Sequence, residues 1–93
     1  MLTTGRVMAG PLLLIAEDDS YQLDQMAGWA SRVGFSVIKA ANGLDAYELF
    51  DISSPEIVVL DYHLPDGLGD ELLPDIRRLA PRSAAVMITT DPD

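Results

Sequence analysis

Ninety-three residues fit one small domain, and 15 acidic against 6 basic side chains give a formal net charge of -9 and a pI near 4.2. Such a chain repels phosphate backbones and anionic lipid, which argues against nucleic acid or a membrane surface as its direct ligand. Hydrophobic residues make up 48% and mean hydropathy is +0.17, too apolar for a disordered acidic tail; with no cysteine there is neither a disulfide framework nor a thiolate metal site.

Residues 1–10 show no periodic pattern and are expected to form a flexible leader. Leu12 to Ala16 is a short continuous apolar run, as in a strand buried on both faces (β1). Glu17-Asp18-Asp19 follows it directly, so it is neither a secretory signal, with its apolar core of about 7–15 residues, nor a membrane span of about 20. A cytoplasmic location is therefore expected. Asp19 to Val33 reads as a helix (α1), because Leu23, Met26, Ala27, Ala30 and Val33 form one apolar stripe. Asp19 is its expected N-cap, with Gln22 completing a variant of the capping box, and Gly34 its expected stop. Trp29 falls off the stripe and stands either on a partner surface or under a further helix.

Phe35 to Ala40 reads as a second strand (β2), and residues 44–51 as a shorter helix (α2) after Asn42-Gly43, broken by Ser53-Ser54-Pro55. Ile57 to Leu60 is the strongest strand pattern in the chain (β3), β-branched and apolar, and it ends on Asp61. Pro65-Asp66-Gly67 is turn chemistry. A helical pattern follows through Leu68, Leu72, Leu73, Ile76 and Leu79 (α3), with Pro74 expected to kink it or shift its start. Pro81 closes it, and Ala84 to Ile88 makes a fourth strand (β4) before Thr89-Thr90.

Strands alternating with helices predict an α/β fold of three layers, a parallel sheet with helices on both sides and strand order 2-1-3-4. In that order α1 takes one face while α2 and α3 share the other. Four strands span about 19 Å and one helix covers about 10 Å, so α1 alone leaves part of its face wet and β4 an open edge. Residues 11–93 are therefore expected to be a partial domain, lacking a further strand and the last helices. A C-terminal segment or a second copy of the chain, as a homodimer, is expected over the open face.

Open parallel sheets bind ligands beyond the carboxyl ends of their strands where strand order reverses, here between β1 and β3. Glu17, Asp18 and Asp61 stand at those ends, and three converging carboxylates repel until one is protonated or a cation joins them. Mg2+ suits such a set, being held by carboxylates, waters and phosphate oxygens. Thr89 at the end of β4 presents a hydroxyl to the same cleft, and the assembly suits phosphoryl transfer to a carboxylate.

Four stretches resemble the receiver domain of two-component response regulators: Leu-Leu-Ile-Ala-Glu-Asp-Asp at 13–19, Ala-Asn-Gly-Leu-Asp-Ala at 41–46, Pro-Glu-Ile-Val-Val-Leu-Asp-Tyr-His-Leu-Pro-Asp-Gly at 55–67, and Val-Met-Ile-Thr-Thr at 86–90. The third is the most specific, since an apolar strand, an aspartate, Leu-Pro and a turn occur in register. The resemblance implies a flavodoxin-like fold and a signalling module, not an enzyme. It implies that Asp61 accepts a phosphoryl group from a histidine kinase or histidine phosphotransfer protein. It further implies that Glu17 and Asp18 form the acidic pair, Asp18 the more direct Mg2+ ligand, with Asp61 and the His63 backbone carbonyl completing the metal set and Thr89 as switch hydroxyl. The family's fifth-strand lysine and aromatic switch residue have no counterpart before Asp93.

Two rivals stand beside this reading. A Mg2+-dependent phosphohydrolase using Asp61 as nucleophile usually wants a carboxylate two residues later, where this chain has His63. A degenerate or truncated receiver, lacking the lysine, serves only as a protein-interaction module.

Overall fold

The computed structural model describes residues 10–61, 63–66, 69–79 and 84–88. Residues 1–9 of the expected leader, Gly67, Leu68, Pro81 and Thr89 lie outside the described residues. The elements run β1 (Leu12–Ala16), α1 (Ser20–Arg32), β2 (Ser36–Ala40), α2 (Gly43–Ser53), β3 (Ile57–Asp61), α3 (Gly69–Leu79) and β4 (Ala84–Ile88). All described strand pairs are parallel, and the sheet order is β2-β1-β3-β4.

The helix boundaries follow from local hydrogen bonding. Asp19 is the α1 N-cap, its Oδ1 accepting the Tyr21 and Gln22 N–H groups at 2.9 and 3.2 Å. The other half of the expected capping box is different: the Asp19 N–H donates to Glu17 Oε2 at 3.2 Å, so a glutamate before the helix takes the donor that Gln22 was expected to satisfy. At the far end Gly34 adopts φ +111°, a region that favours glycine. Its N–H bonds Ser31 O and the Phe35 N–H bonds Ala30 O, the paired closure of a Schellman motif. Helix α2 ends on Ser54 in the left-handed region, ahead of the buried Pro55. Pro74 lies inside α3, which begins at Gly69, so the proline does not set the start of the helix.

Two hydrophobic layers flank the sheet. On one side Leu14, Ala16, Val58 and Leu60 pack with Ala46 and Phe50 of α2, Ile76 of α3 and Leu64 of the β3–α3 loop. On the other, Leu13 and Ile15 pack with Leu23 and Ala30 of α1. Strand β3 registers the unequal cover: Val58 and Leu60 are fully buried, whereas Ile57 and Val59, facing the α1 layer, are only half-buried. Trp29 stands exposed on α1. No described helix is long and apolar enough to cross a membrane.

This layering makes a stability prediction. Leu60→Ala should cost about 2–5 kcal/mol in urea unfolding, because the cavity opens in a close-packed layer. Ile52→Ala, at an exposed position, should stay within about 0.5 kcal/mol. Equal effects at the two sites would contradict the described core.

Candidate functional site

Sheet register brings the acidic residues together. Strands β1 and β3 are in register with Ala16 opposite Leu60, so the next residues, Glu17 and Asp61, leave neighbouring strand ends level with each other. Adjacent strands lie about 4.8 Å apart, which puts two carboxylates within reach of one ion. The Glu17 N–H donates to Ala40 O at 3.0 Å, extending the β1–β2 ladder one step and fixing the backbone from which this side chain departs. Asp18 lies in the short link to α1.

The three expected residues do converge. One carboxylate oxygen from each of Glu17, Asp18 and Asp61 lies within 4.8 Å of the others. Glu17 and Asp61 are each only 3% exposed, while Asp18 is open to solvent. An octahedral ion with oxygens at about 2.1 Å separates its ligand atoms by roughly 3–4 Å, so a slight contraction of this set would suit Mg2+, with water and substrate oxygens on the Asp18 side. Asp19, beside them, is spent on capping α1.

Backbone amides orient two of the carboxylates. Glu17 Oε2 accepts the Asp19 N–H, and Asp61 Oδ1 accepts the His63 N–H at 3.0 Å. The His63 bond fixes the rotation of the Asp61 carboxylate and brings the backbone of 63 alongside it, where its carbonyl was expected to act. The His63 side chain is exposed. Leu64 is buried in the layer beneath α2 and α3 and anchors the loop to the core, while Pro65 is exposed. Ile88, the last described residue of β4, is opposite Asp61 in register; the expected switch residue Thr89 falls just beyond the described chain.

Sequence reasoning missed Asp66, which it took for a turn residue. Its carboxylate accepts the Gly43 and Leu44 N–H groups, both at 2.9 Å, capping α2 from the β3–α3 loop. No local pattern signals a cap that arrives from 23 residues away.

The electrostatics follow from this crowding. Burial pushes the Glu17 carboxyl above its ordinary 4.5 by desolvation; the Asp19 N–H opposes this. Asp61 adds to the rise through its charge and a hydrogen bond to Glu17, and the charge of Asp18 adds further. Among the described residues, the ion pairs Lys39–Asp24 and Arg78–Asp75 are exposed and touch none of the three carboxylates.

The comparisons with known proteins bear on the same residues. The response regulator receiver domain model matches residues 13–93. The chain belongs to that family. Among relatives of this receiver domain, a "Regulator of RpoS" from Escherichia coli K12 is 29% identical over 82 residues, covering 88% of this chain and 24% of that protein. An uncharacterized transcriptional regulatory protein of Bacillus subtilis, YesN, is 36% identical over 81 residues, covering 83% and 22%. The chain thus spans about a quarter of the length of these relatives. Among solved structures, a CheY-like receiver domain protein from Methanospirillum hungatei superposes with a TM-score of 0.84 at 26% identity, covering 89% of this chain and 66% of that one.

The raised Glu17 carboxyl gives a signed prediction. Between pH 4.5 and its folded value, the folded receiver holds more proton than the unfolded chain, so the Glu17 contribution to metal-free stability falls as pH rises. Glu17→Gln should therefore raise Tm by a few degrees at pH 7 relative to the parent and by less at pH 4.5, measured in EDTA. A larger gain at pH 4.5 than at pH 7 would contradict this electrostatic account.

Proposed function

We propose that this receiver domain is the phosphoacceptor of a two-component signalling pathway, phosphorylated on Asp61 in a Mg2+-dependent reaction. The observation that supports it is the convergence of Glu17, Asp18 and Asp61 at the ends of β1 and β3 in a chain of this family. Asp18, Asp61 and the His63 backbone carbonyl would hold Mg2+, with Glu17 beside them. The ion would supply neutralisation of the carboxylates and of the incoming phosphoryl oxygens.

The protein's own part is to present one carboxylate oxygen of Asp61 as nucleophile while the His63 amide holds the other. That oxygen forms the bond to phosphorus as the phosphorus–nitrogen bond of a donor phosphohistidine breaks. The electron pair returns to the donor imidazole, which is left neutral or takes a proton from water, and Asp61 becomes an acyl phosphate. A histidine kinase or histidine phosphotransfer protein is the donor this chemistry fits. The product adds charge and acceptor oxygens beside the end of β4, where the Thr89 hydroxyl would bond the phosphoryl group and bias a two-state surface. In this reading labelling is stoichiometric and self-limited, and the domain is not a turnover enzyme. His63, exposed two residues after Asp61, supplies no second carboxylate for phosphohydrolase chemistry.

Incubation with acetyl phosphate and Mg2+ should label the domain stoichiometrically, read by intact mass. Asp61→Asn, or EDTA in place of Mg2+, should reduce labelling to background. Undiminished labelling of Asp61→Asn would refute the assignment, and sustained turnover of phosphomonoesters would favour the enzyme.

A further inference from the structure

The segment that follows Asp61 is fastened at both ends by carboxylates. At its near end the His63 N–H donates to Asp61 Oδ1. At its far end Asp66 Oδ1 accepts the Gly43 N–H and Asp66 Oδ2 the Leu44 N–H. The remaining first-turn donors of α2 are met locally: Asn42 Oδ1 accepts the Asp45 N–H at 2.8 Å, and the Asn42 carbonyl accepts the Ala46 N–H at 3.1 Å. A local cap and a distant one therefore share this helix start.

A carboxylate is favoured at a helix N-terminus by the unsatisfied N–H groups and the dipole. Two bonds to two successive amides also fix its orientation, which one bond does not. Between the two fastened ends lie the buried Leu64 and the exposed Pro65. Loss of the Asp66 bonds would leave the buried Leu64 as the tie between this segment and the α2/α3 layer, next to the amide that is hydrogen-bonded to the phosphoacceptor.

We propose that Asp66 is a positioning residue. By clamping the 63–66 segment to the start of α2, it holds the His63 amide on Asp61 and so sets the rotation of the reacting carboxylate. This rests on the reading of Asp61 given above, but the clamp itself is testable with neither metal nor phosphate. A simple helix cap would stabilise α2 and leave the His63 amide indifferent. A positioning residue couples the two.

The discriminating experiment is amide hydrogen exchange by NMR on the metal-free chain, comparing the parent with Asp66→Ala and Asn42→Ala. Asn42→Ala removes a cap from the same helix end and leaves the 63–66 segment untouched. In Asp66→Ala the His63 amide should exchange about tenfold faster than in the parent, whereas in Asn42→Ala it should stay within about twofold. Should Asp66→Ala not fold, Asp66→Asn, which keeps one acceptor oxygen, should give an intermediate rate at His63. Unchanged His63 protection in the folded Asp66 variant, with losses confined to Gly43 and Leu44, would overturn the proposal. Titration with Mg2+ separates the two readings: severalfold weaker binding by Asp66→Ala agrees with the clamp. A parent that takes up no Mg2+ would refute the metal reading, leaving the exchange rates to decide the clamp.

Discussion

Two carboxylates that the sheet forces together and hides from water are the constraint on which the site depends. Glu17 and Asp61 follow in-register residues of adjacent parallel strands, so their separation is set by strand spacing rather than by any attraction between them. Their burial removes the solvent that would screen the repulsion. The Asp19 and His63 amides offset part of it, while desolvation first, and the Asp61 charge after it, push the Glu17 carboxyl up. Protonation of Glu17 or a divalent cation can relieve the rest, and the cation does so with both carboxylates still charged.

The surrounding elements make sense as supports of that arrangement. Asp19 caps α1 and, through its own N–H, orients Glu17, so the start of the helix and one wall of the site are a single hydrogen-bonded unit. Leu64 sinks into the α2/α3 layer, and Asp66 binds the α2 N-terminus, so the loop beyond Asp61 is tied to the core at two further points. Among the described residues, the ion pairs Lys39–Asp24 and Arg78–Asp75 stand apart from the buried carboxylates.

Much of this was legible in the sequence because it is periodic or adjacent. The apolar runs at 12–16 and 57–60 mark strands, and their alternation with helical stripes fixes a parallel sheet, which in turn brings Glu17, Asp18 and Asp61 to one end. What was not legible is chiefly which partner a polar side chain takes. Asp66 looks like one residue of a turn because its partners are on another helix, and Gln22 looked like the second half of a capping box because Glu17 was not expected to reach back to Asp19. Pro74 is expected to kink α3 or shift its start; the helix begins at Gly69 and contains it, so the start is not set by the proline. The roles given to Thr89 fall beyond the described residues and rest on the family resemblance.

The central claim is that one cation gathers the carboxylates at the ends of β1 and β3. Crystals grown with Mn2+ in place of Mg2+ would locate that ion directly by its anomalous signal. The account predicts a single strong peak in direct contact with Asp18, Asp61 and the His63 carbonyl oxygen, with Glu17 alongside. A peak elsewhere, or Glu17 and Asp61 left without an ion at saturating Mn2+ and neutral pH, would contradict it.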